Sequence, residues 1–488
     1  MVDLVVRNGQ VVAPGGIVRG GVAIDGETIV AVGVDDALPP ARRVIDAREQ
    51  YVIPGLIDAH VHMGSEEDAS IEEGLRDNMP VETDGAVHGG VTTFAHFAGG
   101  AGAPLVPAIL TTIREGNRWS RVDFFLHAFV MGEEHLKEQG EVYGLGVTSF
   151  KHFFNAYKPR ASEDPGFSWL GGPVDAGILF RSLRFCARQG YPAIGIVHAE
   201  DIDLISVLEE EVRGTGRADL AAWTQARLNV AEALRIEMAI AIARAAGAPL
   251  HIAHMSTAEG ADLVAGARAR GWPIWSEVGP SWLTHTCEME EEVGCWGKVN
   301  PPLRYQRDVD RLWRGIHDGG VTCLGTDHGT GGRTRAMKEK GGGKHGNIWK
   351  ARAGIRGGLE HLLPVMMTHG VHAGRISIQD LVRVGATGPA RAFGLYPRKG
   401  ALMPGADADV VIVDPDREVT VDDDFYHCRC EVSIYRGRTF RGLARTTIVR
   451  GRVMMDDFET ADKPGWGKYV PRGPAVPMHH GSRGGGAG

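Results

Sequence analysis

Apolar residues fall along this chain in two rhythms. At the start, the β-rich runs Leu4-Val5-Val6, Val11-Val12, Val22-Ala23-Ile24 and Ile29-Val30-Ala31-Val32 are split by Gly and Asn-Gly. That punctuation predicts short strands joined by turns over residues 1–53. The same texture returns at residues 409–414, 431–435 and 447–450, so the two chain ends are expected to pair into one accessory β-sandwich. Between them, apolar runs such as 194–197 and 250–253 are followed by helix-like periodicity. Residues 225–246 carry apolar positions at helical spacing and stop before Gly247. Strand–helix units repeated over about 300 residues predict an α/β fold, a (β/α)8 TIM barrel. The expected division is 1–53 and 396–459 for the two parts of the sandwich, 54–395 for the barrel, and 460–488 for a Gly-, Pro- and Arg-rich arm or tail.

Composition narrows the function classes. The chain has 488 residues, 43% apolar and 23% charged, as in ordinary globular enzymes. Its formal net charge of -8 offers no electrostatic case for nucleic acid or an acidic membrane surface. No apolar run reaches the roughly 18 residues a membrane-spanning helix needs. The opening MVDLVVRNGQ reads as a strand, without the basic and apolar regions of a signal peptide. Six scattered cysteines with no CxxC pair suggest reduced thiols and a cytoplasmic protein. Cys428 and Cys430 read as two residues on one face of a strand.

The chemistry is carried by five short stretches. A hydrophobic strand ends in His60-Val61-His62, and alternate strand residues point the same way, so both imidazoles can meet one metal ion. Lys151 ends the apolar run Val147-Thr148-Ser149-Phe150; a desolvated, neutral lysine there can add CO2 and form a carbamate that bridges two cations. His198 ends another run. His251 and His254 sit at the next, and their spacing lets one of the two face the site. Val321-Thr322-Cys323-Leu324-Gly325-Thr326-Asp327 ends in an aspartate. Each stretch alone has an ordinary explanation. Together they place His-x-His, Lys, His, His and Asp, in order, at the strand ends where a barrel carries its site.

With these motifs the chain resembles the amidohydrolase superfamily, in its dihydropyrimidinase, D-hydantoinase and allantoinase branch. The resemblance runs through PGLIDAHVHM at 54–63, GGVTTF at 89–94, FKHFFNAYK at 150–158, VHAEDIDLI at 197–205, LHIAHMST at 250–257, NPPLR at 300–304, GTDHG at 325–329 and PGADADVVIVDP at 404–415. It implies a hydrolase that opens a cyclic amide, acting on a small molecule as a homotetramer with two divalent cations, zinc by default. His60, His62 and Asp327 would hold the more buried cation, and His198 and His254 the second. Carboxylated Lys151 would bridge them. The cation pair would share a water made acidic enough to attack the ring as hydroxide. Asp327 would carry the proton to the leaving nitrogen, and Tyr157 would hydrogen-bond the developing oxyanion.

The chain departs from this branch in places. Tyr157 follows Lys151 by six places where relatives have five. Ala353 stands where relatives place an asparagine that holds the ureide. The loop GTGGRTRAMKEKGGGKHGN after Asp327 is Gly-rich and basic. Asn300, Arg333 and Lys344 are the expected substrate contacts, with Lys338 a further cation of that loop. These departures keep open a non-ureide ring, such as a lactam, a cyclic imide or a heterocycle breakdown product. A non-catalytic scaffold is the third alternative, opposed by the presence of all six candidate ligands.

Overall fold

The computed structural model describes residues 1–64, 70–100, 103–154, 174–330, 342–354 and 357–473. Seven parallel strands follow one another around the centre: Leu56–His62, Val91–Ala98, Asp123–Phe129, Ser149–Phe154, Ile194–Ala199, Leu250–Ile252 and Ile274–Val278. The eighth place is taken by two pieces of one broken strand. Cys323–Leu324 pairs with the seventh strand and His328–Gly329 with the first, so the ring closes. Helices including Ile71–His88, Ala176–Gln189, Asn229–Ala246 and Gln306–Asp318 alternate with the strands. Inside the ring, Ile57, Ala59, Phe125, Ile194, Ile196, Ala253 and Phe393 form a packed apolar floor, so the site can form only above it.

Both chain ends build one nine-stranded sheet beside the barrel. The short strand Tyr51–Pro54 joins them, parallel to Val2–Ala13 and antiparallel to Val410–Thr420. Gly55 then turns directly into the first barrel strand. A Cβ there would lie 2.0 Å from the Thr92 hydroxyl oxygen, which explains the glycine. Buried charges tie the two parts together. Asp123, at the start of the third barrel strand, accepts from Lys399 Nζ at 2.8 Å and Arg450 Nε at 2.9 Å, and Lys399 also reaches Asp409 at 2.6 Å. The described part of the tail runs beneath the barrel. Val470 donates its N–H to the Phe124 carbonyl, and the buried Arg472 guanidinium donates to Ser149 Oγ at 3.1 Å and to the Leu126 carbonyl.

Four local expectations are corrected. Asn8-Gly9 is not a turn: Val2–Ala13 runs on through a bulge there, with Asn8 at φ 55°. Residues 431–435 form no strand, because Tyr435 is anchored in an aromatic cluster with His285, His361 and Phe440 and bonds Thr284 Oγ1 at 3.0 Å. Cys428 and Cys430 likewise lie in irregular chain, their backbone spent on Glu360 and on each other. The helix expected over 225–246 begins at Asn229, since Gln225 closes a separate helix, Leu220–Gln225; its end at Gly247, φ 72°, is as expected.

Candidate metal centre

The first part of the site comes from the first barrel strand, Leu56–His62, whose pairing with Val91–Ala98 is irregular between Asp58 and Val61, and His60 and His62 present Nε2 atoms 3.3 Å apart. Asp327 Oδ1 lies 3.2 Å from His60 Nε2 and 3.3 Å from His62 Nε2. Across the ring, His198 Nδ1 and His254 Nε2 are 3.0 Å apart, and the His60 and His254 rings have centroids 5.1 Å apart. Two nitrogens on one tetrahedral zinc, with bonds of about 2.0–2.1 Å, would stand roughly 3.3 Å apart. Both histidine pairs come close to that spacing. His62 and Asp327 keep 28% and 17% of their side-chain surface exposed, so the site opens on their side.

Lys151 stands between the two groups. It is the third residue of Ser149–Phe154, not a strand end, because the strand runs on to Phe154. Its Nζ is buried without a hydrogen-bond partner among the described residues, 5.2 Å from the Phe97 ring centroid and 5.5 Å from that of Phe153. Burial pulls the amine down to about 8, against the opposing pull of Glu277 and Asp327. Its charge is also felt by His60, His254 and Asp327. An amine here is short of partners and easily neutral, which are the conditions a carbamate needs. Four imidazoles, a carboxylate and this orphaned amine fit a pair of divalent cations with nitrogen and oxygen preference.

Carboxylates behind the histidines fix their tautomers. Glu277, on Ile274–Val278, accepts from His60 Nδ1 and, at 2.9 Å, from His251 Nε2. Glu200 accepts from His198 Nε2 at 2.8 Å. The lone pairs left on His60 Nε2 and His198 Nδ1 then face the site, the arrangement usual behind metal-bound histidine. Burial pushes Glu277 upward, but His60 and His251 outweigh it and hold the carboxyl well below its usual range. His60 is brought down to about 4, first by burial, and stays neutral near pH 7. Asp327 is raised by burial and lowered more by His60, His62 and Lys151, so it remains a carboxylate.

The backbone is bent to reach this geometry. His254 has φ 30° and Asp327 φ 53°, conformations that cost non-glycine residues about 1–3 kcal/mol each. Glu277 Oε1 holds the His254 N–H at 3.2 Å. Asp58 takes the Thr326 N–H at 2.9 Å, its hydroxyl at 2.5 Å and the His60 N–H at 3.0 Å, bolting the broken eighth strand to the first. Sequence reading had not singled out Asp58, Glu200 or Glu277. Asp58 and Glu200 stand two residues from a site histidine, and Glu277 is an acid near the end of an apolar strand; both are usable signals.

His60, His62, Lys151, His198, His254 and Asp327 are thus brought together, and His251 turns instead toward Glu277 and the Phe393 ring, 5.0 Å between centroids. Asn300 is buried, with Oδ1 unpartnered among the described residues. Lys344 is half-buried, its carbonyl accepting from Cys295 N at 2.8 Å. Ala353 lies next to Gly354, whose N–H bonds the Lys298 carbonyl at 3.0 Å. Tyr157, Arg333 and Lys338 lie outside the described residues.

Residues 228–454 match the Amidohydrolase family. An L-hydantoinase of Paenarthrobacter aurescens is 31% identical over 483 residues, 97% of this chain and 98% of that protein. An allantoinase of Rubrobacter xylanophilus is 32% identical over 96% of this chain and 97% of its own length. The solved structure of an L-hydantoinase (dihydropyrimidinase) from Arthrobacter aurescens superposes with a TM-score of 0.85 at 29% identity, covering 97% of this chain and all of that one.

Proposed function

Because this chain belongs to the amidohydrolase family, in the branch of the hydantoinases and allantoinases, we propose that it is a metal-dependent hydrolase that opens a cyclic amide ring. The observation that carries this is the buried Lys151 amine, unpartnered among the described residues, with four imidazoles and the Asp327 carboxylate around it. His60, His62 and Asp327 would hold one divalent cation and His198 and His254 the other, with Lys151 as a carbamate between them. Zinc suits these ligands. When bound, such a pair lowers the pKa of a shared water and polarises the scissile carbonyl.

The chain's own groups do the rest. Asp327, held ionised, would take a proton and deliver it to the leaving ring nitrogen. Phe97, Phe129 and Phe153 stack at 5.5–5.6 Å between centroids around the Lys151 side and keep bulk water from the donors. Glu277 and Glu200 hold the histidine nitrogens in the tautomers that leave lone pairs toward the site. Tyr157 is assigned the developing oxyanion, and Asn300, Arg333 and Lys344 the substrate's polar edge. The family supports a homotetramer. The six cysteines, none of them in a disulfide and five of them buried, support a reducing, cytoplasmic setting, and no helix among the described residues is long and apolar enough to cross a membrane.

A non-ureide ring is the second reading, favoured by Ala353, whose methyl cannot bond a ureide. The test is a direct assay of ring opening on hydantoins, dihydrouracil, allantoin, cyclic imides and lactams, with metal analysis of the same sample. About two cations per chain and turnover of a cyclic amide are expected. A metal-free chain inert on all of them would point to the scaffold instead.

A further inference from the structure

The loop that carries His254 is pinned from two sides. On one side, Glu277 takes the His254 N–H on its side chain and the Met255 N–H on its carbonyl, the latter at 2.9 Å. On the other stands Glu232, buried in the first turn of the helix Asn229–Ala246. Its Oε1 accepts from Ser256 N at 2.9 Å, Thr257 N at 3.2 Å and Thr257 Oγ1 at 3.0 Å. Its Oε2 accepts from Ser256 Oγ and, at 3.1 Å, from Arg304 Nη2.

Donor accounting shows what this cluster requires. Ser256 Oγ donates to Glu232 and accepts from Arg304 Nε at 2.9 Å. Thr257 Oγ1 likewise donates to Glu232 and accepts from Gly260 N at 3.1 Å, capping the helix Ala258–Ala269. All five groups on Glu232 are therefore donors, and only a side chain that accepts at both oxygens satisfies them. An amide of the same shape would set an NH2 against one of these donors. Arg304 is itself a fixed point. It is buried, its Nη1 donates to the Arg227 carbonyl, and its own carbonyl accepts from Cys287 N at 2.9 Å. The segment before it, which carries Asn300, is held by Trp223 Nε1 on the Val299 carbonyl at 3.0 Å and by Trp282 Nε1 on the Pro301 carbonyl at 3.1 Å.

We propose that Glu232, steadied by Arg304, is a positioning residue for His254. Through Ser256 and Thr257 it holds the strained backbone, φ 30° at His254, that keeps His254 Nε2 3.0 Å from His198 Nδ1, as two ligands of one cation require. The inference rests on His254 being a ligand of the second cation. Glu232 spends its hydrogen bonds on the His254 loop and on Arg304, whereas His60, His62 and Asp327 come from other strands. Its loss therefore weakens one cation and spares the other.

The test uses the full chain loaded with Zn2+ and titrated with a chelator while bound zinc is counted. The proteins are wild type, Glu232→Gln, Ser256→Ala and Glu115→Gln. Wild type is expected to hold two cations. In Glu232→Gln one of them is expected to bind about 10- to 100-fold more weakly, and the other as in wild type. Ser256→Ala loses the bridging hydroxyl but keeps the backbone bonds, so it is expected to fall between the two; it decides the matter if Glu232→Gln does not fold. Glu115, a buried carboxylate on the helix Leu105–Trp119 that accepts from Arg114 and Trp119, controls for general destabilisation. Its amide is expected to hold both cations as wild type does. Release of both cations from Glu232→Gln and Ser256→Ala as in wild type would overturn the positioning role alone. So would an equal loosening of both cations, or a loosening matched by Glu115→Gln. A wild type that binds no zinc would overturn the metal centre and this inference with it.

Discussion

Replacing Lys151 with methionine is expected to stabilise the metal-free, uncarboxylated protein while abolishing its function. The Lys151 amine is buried without a hydrogen-bond partner among the described residues and is drawn from 10.5 to about 8, chiefly by burial. Each pKa unit corresponds to about 1.4 kcal/mol, so keeping the ammonium form inside costs about 3 kcal/mol. The sign follows from linkage. The folded protein holds this proton less tightly than the unfolded chain, so wild-type stability rises as pH climbs from about 8 through 10.5. Below that window the full cost is present, and above it the cost is gone. Lys151→Met fills the same space without charge and removes the cost. Urea unfolding of metal-free wild type and variant is expected to favour the variant by about 3 kcal/mol at pH 7, with the gap closing across that window. In the presence of Zn2+ the order of merit reverses for function: the variant loses cations and turnover, and short carboxylic acids partly rescue the smaller Lys151→Ala. A variant less stable than wild type at pH 7, or a gap that ignores pH, would refute the electrostatic argument. Full metal content with normal turnover would refute the carbamate.

Other substitutions separate the roles of neighbouring groups. His254→Asn is expected to lose metal, whereas His251→Asn keeps it and costs about 1–3 kcal/mol of stability, because the buried Oε2 of Glu277 loses its donor while His60 and the His254 N–H still hold Oε1; equal metal retention in both contradicts this. Glu277→Gln releases His60 from its fixed tautomer, and metal affinity measured by competition with a chelator is expected to fall about 10- to 100-fold. An unchanged affinity would make Glu277 a packing residue. Without an amide at Ala353, a bound ureide keeps an unpaired polar group worth about 1–3 kcal/mol. Hydantoin and dihydrouracil are then expected to react roughly ten- to a hundred-fold more slowly than a good substrate. A kcat/KM of ~10⁴ M⁻¹s⁻¹ or more on either would show that the departure is harmless.

Much of the architecture was legible in the chain, because burial imposes period. Strands covered on both faces read as apolar runs, and His-x-His kept both rings on one side because alternate strand residues share a face. The end of the helix at Gly247 was legible for a similar local reason: its φ of 72° is one that glycine adopts without strain. Where local signals misled, a distant partner had intervened. Asn8-Gly9 looks like a turn, but pairing with the neighbouring strands carries the chain straight through as a bulge. The apolar run ending at Tyr435 looks like a strand, but its one ring, that of Tyr435, packs on His285, His361 and Phe440.

The site divides along the same line. The residue types and their order at strand ends are written in the sequence, since each barrel strand delivers its own group to one rim. Which of two nearby histidines turns inward is not. His251 and His254 look equivalent in the chain until Glu277, from the next strand, takes the His251 ring and the His254 backbone N–H. Nor does the sequence reveal that Lys151 has no hydrogen-bond partner among the described residues, or that Glu277 and Glu200 set the lone pairs of His60 and His198. Those depend on distances of about 3 Å between strands far apart in the chain, and hydrogen bonding decides at that scale. Period and propensity are properties of neighbours along the chain; tautomer, desolvation and the direction of a lone pair exist only once the ring has closed.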